Sequence, residues 1–360
     1  MTSTFTLLAQ ELWDEIVDHL QGRTDDLKSL SLTHRRFLPR AQSHTFRSIT
    51  VWNARKAGAG GIARRLLDVM TSSPHLIRHV QILNVFAGDP KSLQSLARIP
   101  WSHVDQLTLM PMAAEALGYA GILVGMPSLR SLVFRPYTWD TTFLFNIFAQ
   151  CAPGVKVFTF VDYTPTSKPT PSTALTTTCV KPTHLFMLAS SRVFDLLVDP
   201  RSPLDLSAVV DFRCTDFSNP RLGILLSRIS PSLTHLHVVG NDRTLDNLEL
   251  ELLPRLDHID AFGIGPPLVH LLKRLPAESR ITTLTFAHFE QTVDDELESV
   301  LLAIPTLQHV NMRVDGKGLE WNAVQRHYES ELPRLHESGL LSVQFLSSEG
   351  AGLFLPELRI

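Results

Sequence analysis

Cysteine is scarce in this 360-residue chain. Cys151, Cys179 and Cys214 are the whole set, they lie far apart, and no two make a CxxC pair. An odd, sparse set argues against a secreted disulfide scaffold and against a zinc knuckle, both of which need clustered cysteines. Asn-x-Ser/Thr sequons are missing altogether. Charge is modest too: 33 basic residues against 36 acidic ones leave a net charge of -3. That balance supplies no field to draw in nucleic acid or an anionic membrane. The longest apolar stretch, near Ala116–Pro127, falls far short of the roughly 20 residues that cross a bilayer. The N-terminus begins polar and turns amphipathic and acidic, unlike a secretory signal. These absences predict a reduced setting, cytoplasmic or nuclear, with no membrane and no nucleic-acid partner.

Catalytic signatures are missing as well. No P-loop, HExxH, GxSxG or Cys–His nucleophile arrangement occurs. Gly58-Ala59-Gly60-Gly61-Ile62-Ala63 fits a dinucleotide fingerprint on paper, with Asp89 downstream. The fingerprint needs its first glycine at the end of a strand, where backbone meets pyrophosphate at a helix N-terminus. Here Asn53–Ala57 intervene after the strand-like segment Arg47–Trp52, so the run reads as a flexible junction. The acidic cluster Asp294, Asp295, Glu296 and Glu298 stands at a helix start, where the dipole favours acid. We therefore expect no catalytic residues, no cofactor and no metal: the chain reads as a non-enzyme.

What the chain does have begins at once. In residues 5–50, Leu8, Leu12, Ile16 and Leu20 recur four apart, and Trp13 and Val17 widen the stripe. Four-residue spacing puts side chains on one helical face. Glu11, Asp14, Glu15, Asp18 and His19 fill the other side. Gly22 is placed to end this helix. Thr24 is expected to cap the next, with Asp25 and Asp26 in its first turn. Leu27, Leu30 and Leu32 continue the apolar set, followed by Phe37 after the basic Arg35–Arg36 step, and Pro39 is expected to end or bend the helix there. So small a unit cannot bury its own apolar face and needs a partner.

These residues resemble the F-box. That module reads Leu-Pro-x-Glu-Leu, spaced aliphatics, a Leu-Ser-Leu/Val step, a basic-aromatic step and a closing Phe-Arg. Here Leu8, Glu11, Leu12, Ile16, Leu20, Leu27, Leu30-Ser31-Leu32, Arg36-Phe37 and Phe46-Arg47 match, and Ala9 stands where the proline is usual. The resemblance implies docking to a Skp-family adaptor through Leu8, Leu12, Ile16, Leu20, Leu30 and Phe37, and through that adaptor to a cullin–RING ligase.

The rest of the chain is repetitive. An apolar-x-x-apolar-x-apolar pattern starts at Ile77, Val104, Leu129, Val155, Pro182, Val209, Leu233, Leu256, Ile281, Leu307 and Leu340, at intervals of 23 to 33 residues. Between these strand patterns lie helical stretches, among them Ile62–Thr71, Thr141–Gln150, Arg221–Ile229, Leu268–Leu275 and Asp294–Ala303. Pro127, Pro153, Pro231, Pro254 and Pro305 stand between a helix and the next strand, where proline stops the one and favours the other. One strand, one turn and one helix per unit is a leucine-rich-repeat design, whose units bury their side chains only by stacking. It resembles the irregular leucine-rich repeats of fungal-type F-box proteins. The expected fold is α/β: an F-box over 5–50, a junction and first helix over 51–74, and over 75–360 a curved solenoid of about eleven degenerate repeats with a parallel concave sheet. The Pro/Thr-rich run 164–183 reads as an exposed inserted loop.

Five histidines, His79, His184, His235, His258 and His309, occupy the slot just before the second apolar position of their patterns. That slot points away from the core. His235 and His258 fall on neighbouring strands with Asp211 and Asp260 nearby, yet no four-coordinate metal set emerges by spacing. A protein-reading surface with pH-sensitive charge fits better. Its candidates are Gln81, Gln106, Arg135, Asp211, Arg213, His235, His237, His258, Asp260, His309, Asn311 and Arg313. The resemblance then implies a substrate receptor of an SCF-type ubiquitin ligase, with the repeats holding a protein substrate. A leucine-rich-repeat scaffold with no ligase link is the alternative reading.

Overall fold

In the computed structural model, residues 9–52, 61–86, 89–110, 114–135, 141–161, 180–188, 193–215, 219–239, 245, 248–263, 265–288, 296–315 and 320–346 are described. Leu8, Asn53–Gly60, residues 164–179, Asp294 and Asp295 lie outside them. The chain divides into two compact units, Met1–Val180 and Lys181–Ile360.

The first unit opens with three helices, α1 (Gln10–Asp18), α2 (Thr24–Thr33) and α3 (Leu38–Thr45). Their inner faces close a small core of Val17, Leu27, Phe37 and Ala41, with Trp13, Leu20 and Leu30 packed against it. The Trp13 and Phe37 rings meet edge to face with centroids 5.2 Å apart. A fork of two 2.5 Å contacts from Arg40 to Asp18, joined by His44 Nε2 at 2.7 Å, ties α3 to α1. The Arg40 guanidinium holds the Asp18 carboxyl down to about 2. Gly22 turns the chain between α1 and α2 at a φ of +89°, a conformation that glycine adopts without strain. Two local expectations fail. Thr24 is the first helical residue of α2 and makes no cap bond. Pro39 sits in the first turn of α3, so it starts a helix where it was expected to end one. Its missing N–H costs nothing there, because that group would be unpaired anyway.

Strands and helices then alternate: β1 (Ser48–Trp52), α4 (Gly61–Ser72), β2 (Ile82–Phe86), α5 (Pro90–Ala97), β3 (Gln106–Leu109), α6 (Leu117–Val124), β4 (Ser131–Phe134), α7 (Thr141–Gln150) and β5 (Val157–Val161). The five strands are parallel and pair in chain order. Inside, Phe134 stacks on Phe160 at 5.2 Å and Phe148 meets Phe158 edge to face at 5.6 Å. The Asp89 carboxylate caps α5, accepting from the Ser92 backbone N–H at 2.9 Å and from its hydroxyl at 2.6 Å.

The second unit continues the alternation: β6 (His184–Leu188), α8 (Val193–Val198), β7 (Asp211–Cys214), α9 (Leu222–Ile229), β8 (His235–Val239), β9 (His258–Phe262), α10 (Pro266–Lys273), β10 (Thr283–His288), α11 (Leu297–Leu302), β11 (His309–Asp315), α12 (Trp321–Glu331), α13 (Pro333–Glu337) and β12 (Leu341–Leu346). Its seven strands are again parallel and ordered as in the chain. Each of Phe212, Leu236, Ile259, Leu284 and Val310 fills the second apolar slot and is fully buried.

A backbone device sets the register within each unit. One carbonyl just before most of the strands accepts two N–H groups from the next repeat. Arg47 O serves Gln81 and Ile82, Gln81 O serves Asp105 and Gln106, and Asp105 O serves Arg130 and Ser131. In the second unit Thr183, Val210, Thr234, Asp257 and Thr282 do the same. Side chains repeat as well. The hydroxyls of Ser128, Ser232 and Thr306 donate to the carbonyls of Val104, Val209 and Ile281 in the preceding repeat, at 2.7, 2.7 and 2.8 Å.

Several repeat assignments are corrected by this register. The first pattern is Val80-Leu83-Val85, three residues later than expected, because Leu83 pairs with Leu107 and Val85 with Leu109. Ile77 and Val80 are buried by a 3-10 turn, Pro74–His79, which imitates the strand spacing. The last repeat is also displaced: Val310 pairs with Leu341 and Met312 with Val343. The strand-like segment expected over Arg47–Trp52 is a full strand, Ser48–Trp52, paired with β2, so it runs two residues into the stretch expected to be junction from 51. The described residues hold twelve strands: this one and one for each of the eleven expected repeats. Among the described residues no helix is long and apolar enough to cross a membrane, and Cys151 and Cys214 are buried.

Candidate functional site

Alternation along a strand sends every second side chain to the same face. In the second unit this builds two outward rows. One runs His184, Asp211, His235, His258, Thr283, His309 across β6 to β11, and the other runs Phe186, Arg213, His237, Asp260, Thr285, Asn311. Neighbouring strands lie about 4.8 Å apart, so side chains in a row touch.

The middle of these rows is a charge cluster on β7, β8 and β9. His237 is 8% exposed and bridges two carboxylates, its Nε2 standing 3.0 Å from Asp211 Oδ1 and its Nδ1 3.0 Å from Asp260 Oδ2. The Asp211 contact is one of charge more than of hydrogen-bond alignment, since Oδ1 has no well-directed donor. Asp260 takes a second bond at 2.7 Å from His258 Nε2, which also lies 3.2 Å from the Thr285 hydroxyl. The His235 and His258 rings stack at 4.9 Å, and Thr234 Oγ1 sits 2.8 Å from His235 Nδ1. Arg213 lies over the Phe186 ring at 4.4 Å, with one of its nitrogens 3.7 Å from Asp211.

Electrostatics follow from that geometry. Burial works against a charged Asp260 and Asp211; hydrogen bonds and charge from His237 and His258 outweigh it at Asp260, and the close His237 ring with the Arg213 charge outweighs it at Asp211, so both carboxyls lie below the usual range. Burial also opposes a charged His237, and the two carboxylates reverse that effect and raise its pKa. With a carboxylate at each ring nitrogen, the imidazolium is the form that satisfies both.

Beyond the cluster, at the C-terminal ends of β6 to β9, opens a pocket of about 300 Å³. Leu188, Thr215, Val239 and Phe262 line it, with Arg213 and His237 among the groups that complete it. The lining is almost wholly apolar. No group of three or more metal-ligating side chains able to hold an ion occurs among the described residues.

The structure thus brings together Asp211, Arg213, His235, His237, His258 and Asp260. His309, Asn311 and Arg313 share their sheet but stand two strands away on β11, with β10 between. Arg135 follows β4 in the first unit, where burial lowers its pKa. His79 is not in the row: it ends the 3-10 turn before β2, and the place expected for it belongs to Ile82. Gln81 belongs to the carbonyl ladder and Gln106 to the outward row of β3. In the N-terminal helices, Leu12 and Ile16 are 47% and 44% exposed, Leu20 and Leu30 are half-buried, and Phe37 is buried in the helical core. Phe186, Leu188, Val239 and Phe262 were missed. Their signal was an apolar residue in an outward slot, which a search for polar residues passes over. No protein-family model matches this chain, and no curated protein is found similar to it.

Proposed function

We propose that the chain is a non-catalytic substrate receptor of an SCF-type (Skp–cullin–F-box) ubiquitin ligase. Residues 5–50 act as the F-box and dock on a Skp-family adaptor, while the repeats hold a protein substrate on their outward face. One observation carries this reading. The three N-terminal helices seal a core of their own with Val17, Leu27, Phe37 and Ala41, yet leave Leu12 and Ile16 exposed on α1. Leu32 and Leu38 are exposed as well. A helix serving only as a cap would turn that stripe onto the first repeats. Leu12 and Ile16 are then the docking contacts, with Phe37 fixing the helix from inside. The adaptor brings a cullin–RING ligase, and transfer chemistry belongs to those subunits, in the cytoplasm or nucleus.

The alternative, a repeat scaffold without a ligase link, draws on the packing of α3 against the 3-10 turn Pro74–His79. Co-expression separates the two. Wild-type chain should co-purify with a Skp-type adaptor, and Leu12→Asp should lose at least tenfold of that binding, since burying one leucine is worth about 2 kcal/mol. Unchanged far-UV circular dichroism of the variant shows that the fold survives. A wild-type chain that does not bind, or a variant that binds equally, overturns the ligase reading.

A further inference from the structure

The charge cluster on β7 to β9 balances itself. Asp211 and Asp260 contribute two negative charges, and Arg213 and the doubly contacted His237 ring contribute two positive ones. Among the described residues, an ion entering the neighbouring pocket would shed its water and meet no surplus of opposite charge. The walls, by contrast, offer Leu188, Val239 and the ring of Phe262, which stays 37% exposed. The volume, about 300 Å³, lies at the small end of pockets that enclose a compact organic group. It admits an aromatic ring and its attachment, and it opens on the same outward face as the cluster.

We propose that this pocket is the subsite for one large, uncharged aromatic side chain of the bound protein. The proposal rests on the reading that this face of the second unit receives a protein, and it names the feature recognised. Phe262, Val239 and Leu188 hold the ring, Thr215 stands at the exposed rim, and Arg213 and His237 form a rigid, charge-balanced boundary that turns ions away. Selectivity follows from desolvation: a charged group of the same shape must leave water without a countercharge, whereas an apolar ring gains from leaving it.

The test uses the full chain with carbon-13-labelled methyl groups and N-acetyl-phenylalanine amide as the probe. The Leu188 and Val239 methyl signals should shift saturably as the probe is added. Benzoate and benzylammonium should bind at least tenfold more weakly. Thr215→Trp, which fills the mouth from an exposed position, should abolish the shift, and Val239→Asp gives a second variant of the wall. Methyl signals that do not move, or benzoate binding as well as the amide, overturn the proposal. Adaptor binding is read at Leu12 in the same samples. Silent methyls with adaptor still bound overturn the pocket assignment alone. Saturable shifts without adaptor binding support the pocket and remove the ligase reading.

Discussion

His237 touches two carboxylates at once, Asp211 Oδ1 and Asp260 Oδ2, each at 3.0 Å. Its pKa is raised above the ordinary 6.5, so the stability it contributes is fully present below that pH and is lost as pH rises through the folded-state value. Asp211 and Asp260 are lowered from 3.8, so their contribution is present above that value and is lost only in strong acid. The cluster is therefore at full strength between these two ordinary values. His237→Gln should cost about 2–3 kcal/mol at pH 5.5, because it strips a charged partner from two half-buried carboxylates. The same substitution should cost less at a more alkaline pH, above the folded-state value, once the wild-type ring has given up its proton. Urea denaturation of both proteins at the two pH values checks this, and an equal difference at both would show that the ring's charge is irrelevant.

At the scale of the repeat, the tie between neighbours comes from a short Pro-Ser/Thr-Leu step. Ser128, Ser232 and Thr306 each follow a proline and donate to the carbonyl at the first apolar slot of the repeat before. Ser232→Ala removes the 2.7 Å bond to Val209 and should cost about 1 kcal/mol in urea denaturation, while Ser232→Thr should retain most of it. Equal losses for both would assign the effect to packing instead. The middle repeats were legible because three buried apolar residues recur in each, as in Val104-Leu107-Leu109 or Leu233-Leu236-Val238. The ends were not. At the start, the 3-10 turn buries Ile77 and Val80 three apart, and that copies the first two slots of a strand. At the end, Leu340-Val343-Phe345 satisfies the apolar pattern, whereas backbone pairing sets Leu341 against Val310 and Val343 against Met312, a register whose first slot is the polar Ser338. The candidate site was half legible. Strand alternation placed the histidines and aspartates, but the pocket depends on Phe262 and Val239, whose apolar character suggests core when read in isolation. The tie of Ser or Thr after proline went unread because Ser128, Ser232 and Thr306 lie several repeats apart and give no regular period.

Within the second unit as a whole, each strand pairs only with its sequence neighbours. Stability in such an array is a sum of local terms and nearest-neighbour terms, and a lesion fades with distance along it. Phe286 is fully buried on β10, so Phe286→Ala should cost about 3–5 kcal/mol. Hydrogen exchange should show the lost protection concentrated in β9 to β11, with β6 and β7 least affected, and a uniform loss would mean that the unit melts as one. The carbonyl ladder at the strand starts has a consequence of another kind. The spacing from one repeat to the next is held by main-chain carbonyl and N–H groups, which every amino acid except proline supplies alike. Outward residues outside the charge cluster can therefore be exchanged while the frame keeps its step. A lineage carrying this chain could rewrite that outward face through a few surface codons, with no need to relearn how to fold.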